Sequence, residues 1–354
     1  ALCVVQDPEA SELLFLGTEE GLYFSVDHGV NWRRWEHDVP SVPVRDMVIQ
    51  PREGDLVLGT FGRAAYVIED LAPLRALAGE GAALLQSSFR AFDAATGYRV
   101  PWSRPVGSRF MADHVWEGEN RSFGAKAHVF VSEDLAEAES ECTIAILSEA
   151  GDTVRHMTMD VEAGWQSLVW RGDSDGVAWP SRKVEDEELK GGGVVVPPGT
   201  YKASLELGDE KVSIEMSMRW DPRVEWNEDA IAESRAFASE MQQEVAKLSE
   251  AMQVLARMNQ AMDAMESAWS ALPDSLSAEM DSLASAVQSE IKALHDELRV
   301  PKDFVGYDHV TERVMDVVYE AQGDVFETPS ANALRKRELA VAEIDRMVSS
   351  VEAL

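Results

Sequence analysis

Apolar positions along the chain follow three successive patterns. Up to about residue 75 they form short runs of four to six residues, β-branched and aromatic, broken by Pro8-Glu9, Glu20-Gly21 and His28-Gly29. Such runs read as strands joined by tight turns. One stretch recurs: Val4-Val5-Gln6-Asp7-Pro8 followed by Leu14-Phe15-Leu16-Gly17-Thr18 returns as Val48-Ile49-Gln50-Pro51 followed by Leu56-Val57-Leu58-Gly59-Thr60, with the Gly-Thr pairs 42 residues apart. That period predicts blades of a β-propeller, each a four-stranded meander, and the segment holds about one and a half of them. A blade buries its faces against neighbours, so the remaining blades are expected upstream and the chain reads as a C-terminal fragment.

From 89 to 224 the pattern is again all-β, without the repeat. Lys126 to Val131 alternate as a strand. Thr143 to Leu147 and Val154 to Met159 flank the turn Glu149-Ala150-Gly151-Asp152, which predicts a hairpin. Between the two β regions, 76–88 is rich in Ala, Gly and Leu and reads as a linker or short helix. After 225 neither proline nor glycine occurs until Pro273. Met241, Val245, Leu248, Met252, Leu255, Asn259, Met262, Glu266 and Trp269 step by four and three, predicting a helix of over ~60 Å with a seam interrupted by two polar residues. A second stripe, Met280, Leu283, Val287, Ile291, Leu294 and Leu298, predicts a helix running back along it. Val310, Val314 and Val317 mark a shorter helix, and Thr328-Pro329 opens a last one whose inner face is Leu334, Val341, Ile344, Val348 and Val351. The segment 225–354 is therefore an expected antiparallel three- or four-helix bundle. The fold class is multi-domain, β then α.

Six stretches carry a resemblance. Ser25-Val26-Asp27-His28-Gly29-Val30-Asn31-Trp32 matches the Asp-box pattern Ser-x-Asp-x-Gly-x-x-Trp of BNR blades. There Gly29 suits a left-handed turn position, the Asp27 carboxylate can accept the turn's N–H groups, and Trp32 can pack beneath it. Gly59-Thr60-Phe61-Gly62-Arg63-Ala64-Ala65-Tyr66-Val67-Ile68-Glu69-Asp70-Leu71 is similar to the closing blade of bacterial sortilin-like BNR/Asp-box repeat proteins, often labelled glycosyl hydrolases, with Ala64 where many relatives carry Gly. Gly118 to Ala125, with Arg121 and Ser122 in place of two prolines, resembles a further stretch of that family. Ala163 to Trp170, Pro197-Pro198-Gly199-Thr200-Tyr201 and Asp221-Pro222-Arg223 resemble its FlgD-type immunoglobulin-like sandwich. The resemblance implies terminal propeller blades over 1–75, the linker 76–88, a FlgD-like Ig-type β-sandwich over 89–224, and the helical tail.

Charge and composition narrow the partners. The chain has 64 acidic against 32 basic residues, a formal charge of −32, which repels phosphate backbones and argues against nucleic acid. No apolar run reaches the ~20 residues of a membrane span. Segment 225–354 holds 26 acidic and 11 basic residues, so the bundle's surface is expected to be strongly negative. The seven histidines fall in no metal-ligand spacing, and Cys3 and Cys142 are too far apart in sequence to suggest a zinc site. Arg171-Gly172-Asp173-Ser174-Asp175-Gly176 echoes a calcium loop but lacks its distal glutamate and reads as a turn.

No catalytic, cofactor or metal residues are therefore expected. The structural sites are the Asp-box Ser25, Asp27, Gly29 and Trp32, and the closing-blade residues Gly59, Thr60, Gly62, Arg63 and Tyr66. The resemblance implies an extracellular or periplasmic, non-catalytic scaffold that binds polysaccharide or protein through the propeller. Two alternatives stand beside it. One is a glycoside hydrolase with its carboxylates in the upstream blades. The other is an assembly protein that docks a partner, or a second copy limited by Asn259 and Glu266, through its acidic bundle.

Overall fold

The structure, a computed structural model, describes residues 1–100, 121–181, 191–269, 274–298, 309–323 and 326–354. It is a mixed β/α protein with several sheets and C-terminal helices, and it divides into two compact units. The first comprises 1–99, 110–172 and 197–221; the second comprises 100–109, 173–196 and 222–354. Gly118, Glu119, Asn120, Pro273 and Pro301, which the sequence singles out, lie outside the described residues.

The first unit opens with an antiparallel sheet in chain order, β1 (Cys3–Gln6), β2 (Leu14–Thr18), β3 (Gly21–Ser25) and β4 (Arg33–Arg34). A second meander follows with β5 (Val44–Gln50), β6 (Asp55–Thr60) and β7 (Ala65–Ile68). The sequence repeat is a structural one. Gly17 stands opposite Cys3, and Gly59, 42 positions on, stands opposite Asp46 in the matching pair of strands.

Side chains alternate between the faces of a sheet, so the register defines two apolar rows in each meander. In the first, Val5, Phe15 and Phe24 form one row and Val4, Leu16 and Tyr23 the adjacent row on the opposite face. The matching rows of the second are Val48, Val57 and Val67, and Met47, Leu58 and Tyr66.

Burial is inverted between the copies. Phe15 is fully buried and Val4 is 60% exposed, whereas Leu58 is fully buried and Val48 and Val67 are 60% and 54% exposed. Leu14 and Leu16 are half-buried while their counterparts Leu56 and Leu58 are completely covered.

The cause is that the two sheets pack head to tail. The Phe15 face of the first meets the Leu58 face of the second in one core of Leu13, Phe15, Leu22, Val44, Met47, Ile49, Leu56, Leu58 and Leu71. At Gly17 the neighbouring sheet comes close. A Cβ there would sit 2.7 Å from the Val44 carbonyl oxygen of the neighbouring sheet, and 2.5 Å from Cys3 Sγ. At Gly59 a Cβ would meet only Asp46 of its own sheet, at 3.6 Å and beyond.

Helix α1 (Ala72–Glu80) carries Pro73 in its first turn, where the missing N–H costs nothing, and a 3-10 helix Gly81–Gln86 follows. The segment read as a linker, 76–88, is thus helical through Gln86. Leu71, Leu74 and Ala78 join the meander core, and Arg75 Nε donates to the buried Asp7 carboxylate at 3.0 Å while its Nη1 pairs with Glu9 at 2.7 Å.

Further along, β8 (Phe89–Ala91), β9 (Gly97–Arg99), β10 (Ala125–Val131), the short helix α2 (Glu133–Ala138), β11 (Glu141–Leu147), β12 (Thr153–Asp160) and β13 (Gly164–Trp170) lead to a hairpin of β14 (Asp173–Asp175) and β15 (Gly192–Val195). Strands β16 (Gly199–Leu207) and β17 (Glu210–Trp220) complete the β elements. They make a sheet β13-β10-β8 and a sheet β12-β11-β16-β17-β9, whose last pair is parallel. Alternate residues of β10, Ala125, Ala127, Val129 and Val131, are fully buried. Trp170 of one sheet meets Tyr201 of the other edge-on at 4.8 Å, as facing sheets require.

The second unit gathers α3 (Glu228–Trp269), α4 (Asp274–Leu298), α5 (Val310–Gly323) and α6 (Ala331–Glu352) around one core, with Val177 and Val194 from the β14–β15 hairpin packed against it. Gln242 Nε2 donates to the Asp175 carbonyl and Arg235 Nε to that of Val195, so the hairpin belongs with the helices and not with the sheets that flank it in sequence. Ser330 caps α6 through the Ala333 N–H. The buried stripe of α3 runs through Met241, Val245, Leu248, Met252 and Leu255. Of the later seam positions, Met262 packs against the core and Trp269 is buried, as expected, whereas the polar Asn259 and Glu266 are exposed and Met258, outside the seam, also packs inward.

Candidate functional site

Antiparallel strand order sorts the loops of the two meanders to opposite ends. One end holds the β1–β2 loop, the β3–β4 turn with the Asp-box, and the β5–β6 loop. The other holds the β2–β3 turn, the long β4–β5 connection and the β6–β7 turn.

At the first end the Asp-box residues bind one another. Ser25 Oγ donates to Asp27 Oδ1 at 2.7 Å and accepts the Gly29 N–H at 2.9 Å. Asp27 Oδ1 also accepts the Asn31 N–H at 2.9 Å, and Oδ2 accepts Asn31 Nδ2 at 2.7 Å. These donors, the Asn31 N–H foremost, hold the Asp27 carboxyl down to about 2. Gly29 has φ +82°, and a Cβ on it would lie 3.4 Å from the Trp32 ring beneath. Asn31 is the member of this network that the motif pattern does not name. Its chemistry was legible only as an amide four residues after the aspartate.

At the opposite end, Asp38, Val39, Pro40, Ser41, Val42, Gly62, Arg63, Ala64 and Tyr66 line an open cleft of about 860 Å³. Three closing-blade residues, Gly62, Arg63 and Tyr66, therefore meet there. The remaining two build its wall: Thr60 Oγ1 and N–H both donate to the Ala64 carbonyl, and Gly59 pairs across to Asp46. Phe61 N–H donates to the Pro43 carbonyl, and Arg34 reaches the Glu20 carbonyl at 3.1 Å. Asp38, Gly62 and Ala64 all have left-handed φ, of 54°, 81° and 62°. Such a conformation costs a non-glycine residue about 1–2 kcal/mol, so Asp38 and Ala64 hold the rim of the cleft under strain. Among the described residues Arg63 makes no ion pair, and its guanidinium is exposed at the cleft.

A third cluster joins the second meander to β10 within the same unit, and the sequence did not predict it. Lys126 Nζ lies 3.0 Å from Glu69, His128 Nε2 3.4 Å from Asp70 Oδ2, and Arg121 Nη1 3.3 Å from Asp55. Burial raises the Asp55 carboxyl, opposed by the Asp70 N–H it accepts and by Arg121. Burial lowers the His128 imidazole, against the pull of Asp70. Partners some 60 residues apart leave no local pattern, which is why this cluster was invisible along the chain.

Both cysteines are free, and burial raises Cys142 to about 11, so its thiol is held protonated and unreactive. Among the described residues no group of His, Cys, Asp or Glu has the arrangement to hold a metal ion, and no helix is long and apolar enough to cross a membrane. No protein-family model and no curated protein matches the chain.

Proposed function

We propose that the two meanders are neighbouring sectors of a BNR/Asp-box β-propeller, braced by a FlgD-like sandwich, in a secreted protein that binds polysaccharide or protein without turning it over. The observation that carries this reading is the inverted burial of the repeated rows. A head-to-tail contact between the Phe15 face of one copy and the Leu58 face of the next leaves one unmatched face at each side. On this chain those are the Val4, Leu16 and Tyr23 row and the Val48, Val57 and Val67 row. Each is the complement of the other, and repeated head-to-tail contacts close into a ring when the rotation permits. Further meanders of the same kind are thus the occupants that fit both faces, as in a propeller of ~4–8 blades.

The binding role follows from where the polar groups are engaged. Asp27 serves its own turn, Asp55 pairs with Arg121, and Asp70 stands beside His128 of β10. The cleft at the other end is walled by Val39, Pro40, Val42 and Tyr66 and carries one cation, Arg63, and one carboxylate, Asp38. This suits recognition, whereas glycoside hydrolysis needs two carboxyl groups set ~5–9.5 Å apart across the bond. The test is an array of polysaccharides and peptides probed with the protein, followed by reducing-end analysis of every glycan bound. Binding with no released reducing sugar supports the reading. Release of reducing ends overturns it in favour of a hydrolase.

A further inference from the structure

The four helices of the second unit differ greatly in length, and the difference strips one end of the longest pair. At ~1.5 Å per residue, the 42 residues of α3 span about 63 Å, against about 33 Å for the 22 residues of α6 and about 21 Å for the 14 of α5. Buried positions on α3 accordingly run from Ala230 to Ala256 and then stop until Trp269. Beyond Ala256 the described partner of α3 is the first half of α4, joined to it where Trp269 Nε1 donates to Asp281 at 2.7 Å.

Among the described residues, an apolar stripe continues into this two-helix end and is left exposed. On α4, Ala284, Ile291 and Leu298 are buried, while Met280, Leu283 and Val287 on the same side of the helix are 41%, 64% and 37% exposed. Met265 on α3 is 53% exposed. Methionine-rich apolar surface of this kind adapts to varied partners.

Charge selects among occupants. Between Arg257 and Glu290 that arginine is the single basic residue and there are six carboxylates, Asp263, Glu266, Asp274, Glu279, Asp281 and Glu290. Two such ends facing each other would bring ten net negative charges together, and an anionic lipid surface is repelled in the same way. A partner of opposite charge is attracted to this acidic stretch, and an amphipathic one can cover the apolar stripe as well.

We infer that the exposed end of the α3–α4 hairpin docks a basic amphipathic helix of another protein, its apolar side on Met280, Leu283 and Val287 and its lysines or arginines toward the surrounding carboxylates. The proposal concerns a surface separate from the cleft and stands independently of the propeller reading.

The experiment uses the full chain and a synthetic Leu/Lys peptide of about 18 residues with leucines at helical spacing. Its controls are a shuffled peptide of the same composition, and the Leu283→Asn and Met280→Asn variants, whose side chains are exposed, so that folding is retained. The expected result is saturable binding of the amphipathic peptide, protection from hydrogen exchange on 276–290, and about tenfold weaker binding in each variant. Equal binding of the shuffled peptide would show that bulk charge alone attracts it and would overturn the proposal. So would unchanged affinity in both variants, or self-association of the chain that Leu283→Asn abolishes.

Discussion

Gly17 and Gly59 occupy the same place in the two meanders, and replacing each with alanine separates packing from propensity. Both lie in a central strand opposite the first strand of their sheet, so the intrinsic gain of alanine over glycine, about 0.4–1 kcal/mol from the unfolded chain, is common to both. Their surroundings differ. The new methyl at Gly17 would lie 2.7 Å from the Val44 carbonyl oxygen and 3.1 Å from Val44 Cγ1, inside contact distance of a neighbouring sheet. Cys3 Sγ, at 2.5 Å, can rotate away, but a backbone carbonyl cannot. Overpacking of this kind costs about 1–3 kcal/mol.

The methyl at Gly59 would find Asp46 at ordinary van der Waals distance and nothing from another sheet. Gly17→Ala is therefore expected to destabilise by about 1–2 kcal/mol and Gly59→Ala to stabilise by about 0.5 kcal/mol. Their separation of about 2 kcal/mol corresponds to roughly 4–8 °C in midpoint for a unit of this size. Differential scanning calorimetry of the two variants reads it directly, and a Cys3→Ala background should recover only part of the Gly17→Ala loss. Equal shifts for the two variants would refute the head-to-tail packing, because both faces would then be equally covered.

Other expectations follow from the same geometry. Asp27 should titrate near pH 2 by NMR; because its folded value lies below the unfolded one of about 3.9, its stabilising contribution is present above that value and lost as pH falls through 2. The opposite group is His128, whose folded value is lowered by burial, so an unfolded chain binds the proton first; acidification from about pH 6.5 should destabilise the wild type more than His128→Asn in urea titrations. Arg75→Ala should cost about 3 kcal/mol in chemical denaturation, since it leaves the buried Asp7 carboxylate without its cation. Relieving the left-handed strain at the cleft, Ala64→Gly should raise stability by about 0.5–1 kcal/mol, measured the same way.

What could be read along the chain was what depends on near neighbours. The strands of both meanders, the Gly-Asp hairpin, and α3 with its proline- and glycine-free run are local patterns of alternation, turn chemistry and helical spacing. Which face of a meander is covered is not local. Leu16 and Leu58 hold matching places in the two copies of the repeat, yet one is half-buried and the other is fully covered by the facing sheet. The segment 171–176 reads as a turn within the 89–224 sandwich, and only the packing of Val177 and Val194 against the helices, with the bonds from Gln242 and Arg235, assigns the β14–β15 hairpin to the second unit. Of the candidate sites, the Asp-box was legible because its bonds span four residues. The cleft was not, because Asp38 lies in the β4–β5 connection and Arg63 in the β6–β7 turn, and the residues at 55, 69, 70, 121, 126 and 128 are brought together only by the chain's return.

The claim that the two meanders pack head to tail is tested most directly by hydroxyl-radical footprinting of the leucine and valine side chains of the chain. Val4, Val48 and Val67 are expected to be labelled strongly, Leu14 and Leu16 partly, and Leu56 and Leu58 to be protected. Equal labelling of Leu16 and Leu58 would contradict it.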